Sequence, residues 1–223
     1  MKRTQLKDRL LPTYTGGEER FHMISHIVGG GLGVVALVLC VVWSAIKGDA
    51  YGVVGGAIYG ASLISLYAMS GIYHGLRHAT AKKVFQVLDH CTIYFLIAGT
   101  YTPILFCAIR PVSPVWAWVL FSIVWGLAAL AVALTAVDLK KYAVFSMCCY
   151  IGMGWCIVVA WRVLLRAVAM PGVWLLLSGG IVYTVGAVLY GLGKRRRWMH
   201  ALFHLFVLIG SILQFLCIFF YVI

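Results

Sequence analysis

Five side chains in this sequence combine types and spacings that could do chemistry. His200 and His204 stand four residues apart, which on a helix puts them on one face. Ser70 and His74 have the same separation, and Asp89 follows in the next apolar run. Each lies within about two helical turns of a basic cluster: Arg77 follows His74, Lys83 precedes Asp89 and Arg197 precedes His200. If the neighbouring apolar runs are membrane spans, all five share one depth, about 5–10 Å inside a bundle at 1.5 Å rise per residue.

Ionisable groups at that depth are costly and therefore mark functional sites. Three neutral imidazoles suit zinc, and a catalytic zinc site keeps its fourth position for water. A carboxylate such as Asp89 can hydrogen-bond that water, lower its pKa and shuttle its proton, with Ser70 orienting Asp89 or the water. The competing reading pairs these histidines with lipid headgroups or backbone carbonyls. A lone histidine at a helix end favours that reading. An H-x-x-x-H pair facing a third histidine and an aspartate at one depth favours a metal.

The elements that must position these residues are membrane helices. The chain is 63% hydrophobic and only 11% charged, with a mean hydropathy of +0.99. A soluble protein of this size needs a charged exterior, whereas a lipid-facing surface does not. Runs long enough to span lie near 22–46, 50–74, 85–108, 115–137, 142–161, 172–193 and 199–221. They are too long and too uniformly apolar for barrel strands. We therefore expect an all-α integral membrane protein, a seven-helix bundle at 22–223 behind a polar segment at 1–21, with no cleavable signal peptide.

Fourteen Lys and Arg residues fall on one side of these spans and four on the other. The positive-inside rule then sets the N-terminus in the cytoplasm and the C-terminus outside, the reverse of a G-protein-coupled receptor. That distribution also explains the net charge of +12 as topology, so nucleic acid is not expected as a partner. Membrane lipids are, and the expected location is the cell (inner, cytoplasmic) membrane. Gly52, Gly56 and Gly60, and Gly29 and Gly33, recur at four-residue spacing and predict close packing of the first two helices. Pro103 predicts a kink in the third. The seven cysteines include no C-x-x-C pair, and most read as small core residues.

Three segments resemble the hemolysin III family, the bacterial branch of the progestin and adipoQ receptor (PAQR) superfamily that includes the adiponectin receptors. They are Ser70-Gly-Ile-Tyr-His74, the run from Asp89 to Pro103, and Trp198-Met-His200-Ala-Leu-Phe-His204. The resemblance runs from Glu18 to the C-terminus. It implies a Zn2+ ion on His74, His200 and His204, with Asp89 contacting the metal through water and Ser70 beside it. The stretch Glu18-Glu19-Arg-Phe-His22-Met-Ile-Ser25-His26 resembles the family's entry to helix one, with His22 where Asn is usual and Ser25 where Thr is. Glu19, His22 and His26 share a helix face, and we expect them to form a hydrogen-bonded cap that steadies the metal helices rather than a second metal site. His78 and His90 are expected outside the site.

The superfamily resemblance implies a zinc-dependent hydrolase of a lipid amide or ester, ceramidase-like, with Asp89 as general base and a lipid substrate. The alternative is a non-enzymatic sensor or regulator of membrane lipid state in which zinc is structural. Cytolysis, which the family name suggests, is the weakest reading, because no span shows the polar stripe of a water-filled pore. An intramembrane metalloprotease is excluded, since Ala201 stands where H-E-x-x-H needs its glutamate. An opsin is excluded too, because the seventh span carries no lysine.

Overall fold

The computed structural model describes residues 4–193 and 196–223. Lys2, Arg3, Lys194 and Arg195, which enter the charge asymmetry, lie outside the described residues. Seven helices are long and apolar enough to cross a membrane: α1 (Gly16–Ile46), α2 (Ala50–Gly75), α3 (Ala79–Val112), α4 (Pro114–Val137), α5 (Ala143–Ala167), α6 (Met170–Gly193) and α7 (Met199–Tyr221). Among the described residues there is no strand. The protein is thus a multi-pass, all-helical membrane protein.

Local chemistry sets several of the ends. α1 begins at Gly16, ahead of the start near 22 read from hydropathy, because Thr15 and Glu18 form a capping box. The Glu18 N–H donates to Thr15 Oγ1 at 3.2 Å, and the Thr15 N–H donates to Glu18 Oε2 at 2.9 Å. Residues expected in a polar leader therefore form the first turns of α1. Asp49 caps α2, and Pro114 opens α4 where its missing N–H costs nothing.

Neighbours in sequence pack side by side, and α7 returns against α1 to close the bundle. α3 is the inner helix: 67% of its most apolar window is buried, against 28% for α1 and for α4. The glycine faces let α1 and α2 approach backbone to backbone. Gly52 lies over Ser44, Gly56 over Cys40 and Gly60 over Leu37, while from the other side Gly33 meets Leu63 and Ile64.

Two irregularities have identifiable causes. α3 continues past Pro103 through a widened, π-type turn at Ile104–Ile109. Proline has no N–H and crowds the carbonyl four residues back, here that of Gly99, so the ladder must loosen. α5 tightens to a 3-10 stretch at Cys156–Ala160 because the Tyr101 hydroxyl of α3 enters its ladder. That hydroxyl accepts from the Ile157 N–H at 3.0 Å and donates to the Gly154 carbonyl at 2.9 Å. The helix then resumes to Ala167, so Arg162 and Arg166, which blurred the end of this span in the sequence, lie on its exposed face.

Candidate metal centre

At the end of the bundle that carries Lys82, four histidines converge. His22 comes from α1, His74 from the last turn of α2, and His200 and His204 from the first turns of α7. One nitrogen from each lies within 4.8 Å of one from each of the others, and all four side chains are buried. His22 is fully enclosed. Such a group can hold a metal ion.

The hydrogen-bond pattern fits that use. His74 Nδ1 lies 2.7 Å from Glu19 Oε2, and Lys82 Nζ lies 2.6 Å from the other carboxylate oxygen. With Nδ1–H donating to the carboxylate, His74 presents Nε2 as a lone pair, and that atom is buried with no protein partner. A carboxylate behind a histidine is the usual way to fix the ring and tautomer of a metal ligand. His200 Nε2 and His204 Nε2 are 3.1 Å apart. Zinc–nitrogen bonds of 2.0–2.1 Å at tetrahedral angles set neighbouring donors about 3.3 Å apart, so this pair already has the spacing of two ligands on one ion.

Both nitrogens of His22, both of His26 and Nδ1 of His204 are also buried without a protein partner. An unsatisfied buried polar atom costs about 1–3 kcal/mol, so such a concentration at one spot calls for something to satisfy it. His26 differs in orientation: its ring lies tilted against that of His204 at 3.8 Å between centroids, and it is not one of the four. The N-terminal segment covers the cluster. Tyr14 stacks on His200 at 5.0 Å and meets His22 edge-on at 5.0 Å. Burial, with Tyr190 nearby, holds the Tyr14 hydroxyl well above its ordinary pKa, so it stays protonated.

Of the residues singled out in the sequence, His74, His200 and His204 come together as neighbours. Asp89 and Ser70 lie next to each other beside them. Both line a cavity of about 170 Å³ whose wall also includes His26, His200 and His204. From there the cavity runs between α3, α5, α6 and α7, past apolar groups such as Ile97, Ile151, Leu177 and Val207, to Gln214. Asp89 is not a member of the four-nitrogen group. His90 turns aside: its Nδ1–H donates to the Gln86 carbonyl at 2.8 Å, and its Nε2 accepts from the Tyr190 hydroxyl at 3.1 Å. His78 caps α3 at the surface. His22 is the residue that sequence reasoning set apart and the structure brings in.

A family model described as "Haemolysin-III related" matches residues 14–215. The chain is 40% identical over 205 residues to Hemolysin-3 of Bacillus cereus, covering 92% of each chain. It is 36% identical over 208 residues to a Hemolysin-3 homolog of Bacillus subtilis, covering 93% of this chain and 96% of that one. A more distant likeness, 27% over 166 residues, joins 72% of this chain to 67% of the human monocyte to macrophage differentiation factor. No solved structure is a significant match.

Proposed function

The chain belongs to the haemolysin-III-related family, and from that premise we propose that it holds zinc through His74, His200 and His204 and hydrolyses a lipid amide or ester at the cytoplasmic face. The observation that carries the reading is the cavity. It joins a polar mouth at Asp89, Ser70 and His204 to a long apolar interior inside the bundle. A head group with a carbonyl fits the mouth, and an acyl chain fits the interior.

When bound, zinc supplies Lewis acidity, polarising a carbonyl and lowering the pKa of water. The side chains do the rest. Glu19 fixes the tautomer of His74, and Lys82 holds that carboxylate in place. The Ser70 hydroxyl, beside Asp89, steadies a carboxylate that lines the cavity and offers it an oxygen. That oxygen takes a proton from water and returns it to the departing amine or alcohol, so that water and lipid become fatty acid and head group. Apolar walls hold the acyl chain still, and Tyr14 covers the histidine cluster.

Purified, zinc-loaded protein should release fatty acid from at least one class of amide- or ester-linked lipid, and Asp89→Ala should abolish that release. If wild type and Asp89→Ala are equally inactive on every class, the hydrolase reading falls. A second reading, structural zinc in a regulator of lipid state, is favoured by the way the histidines tie α1 and α2 to α7. In that case zinc removal lowers the melting temperature strongly and no lipid is turned over.

A further inference from the structure

We propose that His22 is the fourth protein ligand of the ion, so that the resting site is closed by a nitrogen from α1. The proposal rests on the zinc-holding part of the proposed function and is independent of hydrolysis.

Three observations point the same way. His22 is the only α1 residue in the group of mutually close donors, within 4.8 Å of the nitrogens of His74, His200 and His204. Both of its nitrogens are buried and make no hydrogen bond to protein. It also sits beside all three of the others, 4.5 Å from the His74 ring, 4.8 Å from His200 and 4.7 Å from His204 between centroids. His26 also has two unbonded nitrogens but is not in the group of mutually close donors, so closeness to the other three is what singles out His22. Four neutral imidazoles around one point make a complete tetrahedral set, whereas three leave a position for water.

The first turn of α1 holds this part of the helix in place. It is clamped at both ends of its acidic pair. Glu18 Oε1 accepts from the Trp198 N–H at 2.7 Å, where Trp198 adopts a left-handed backbone with φ of 64° just before α7. Glu19 binds His74. With His22 bound, the ion has no open position for a carbonyl or a small anion.

Cobalt substituted for zinc in the full chain tests the assignment, because its visible spectrum reports donor type and number and azide reports an open position. The wild-type protein should show four nitrogen donors by X-ray absorption, and its cobalt spectrum should not respond to azide. His22→Asn should bind azide and lose metal affinity by roughly 10–100-fold or more, the scale of losing even an outer partner. His22→Cys supplies a second, positive readout: a sulfur-to-cobalt charge-transfer band should appear if position 22 coordinates. Three nitrogen donors and an azide response in the wild type, or no such band in His22→Cys, overturn the proposal. Those results leave the hydrolase reading untouched, since it stands or falls on fatty-acid release.

Discussion

The Glu19 carboxylate stands 2.7 Å from Nδ1 of His74 and joins the first turn of α1 to the last turn of α2. Removing it frees the His74 ring to rotate and leaves Lys82 without its 2.6 Å partner. Glu19→Ala should therefore weaken metal binding by roughly 10–100-fold while the helices persist. Competition with a chelator, alongside helical circular dichroism, measures both. An unchanged metal affinity would show that this carboxylate is not supporting the site.

Tyr101 should prove a structural keystone far from the histidines. Its hydroxyl serves both the Gly154 carbonyl and the Ile157 N–H of α5. Tyr101→Phe keeps the ring and leaves two backbone groups without a partner, at about 1–3 kcal/mol each. Unfolding in detergent should reveal that loss.

The glycine faces make a contrasting pair of predictions. A Cβ at Gly60 would stand 2.5 Å from Leu37 Cβ and 2.6 Å from its Cα, so α1 and α2 must separate to admit it. Gly60→Ala should cost about 1–3 kcal/mol. At Gly126 of α4 the same methyl meets nothing within 4 Å. Gly126→Ala should gain about 0.5–1 kcal/mol from reduced backbone freedom. Equal effects in parallel melts would refute the close approach of α1 and α2.

Asp138, in the turn after α4, should give the described N-terminal segment an acid-sensitive anchor. Backbone N–H groups of Thr4, at 2.7 Å, and of Lys141 and Lys140, each at 3.1 Å, hold its carboxylate ionised. Its pKa is lowered from the ordinary 3.8 to about 2, with the Thr4 bond the largest cause. A depressed carboxylate pKa adds stability above the unfolded value and loses it as pH falls through the folded one. The anchor is thus complete above about pH 4 and gone below about 2. Amide exchange at Thr4, in wild type against Asp138→Asn, should show protection that fades over that window only in the wild type.

Hydropathy and charge alone predict the bundle, because each span is a long apolar run broken by charge, and α7 begins at Met199 where its run begins. The site was legible as far as depth alone could carry it. His74, His200 and His204 could be grouped because each lies close to a basic flank. His22 is assigned instead, with Glu19 and His26 on its helix face, to a cap that steadies the metal helices, because two histidines and one glutamate make a weak ligand set. The signal that corrects this is the capping box Thr15-Gly-Gly-Glu18, which starts α1 at Gly16 and puts His22 two turns inside. What no pattern in the sequence carried was a lateral fact: α7 packs against α1, so His22 and His204 face each other. The entry of Tyr101 into α5 was hidden for the same reason.

Ala187 of α6 offers the sharpest separation of site from substrate. It lines the cavity between the mouth at Asp89 and the deeper apolar wall, and it is not part of the histidine cluster. Ala187→Phe fills that passage with a ring, while the four histidine nitrogens and the Glu19–His74 bond keep their surroundings. Zinc content and melting temperature should stay near the wild-type values. Fatty-acid release should fall at least tenfold for long-chain lipids and less for short-chain ones, which need not pass residue 187. Equal losses for both chain lengths would mean that the acyl chain does not enter this cavity. Loss of zinc together with activity would mean that the cavity and the metal centre are not separable.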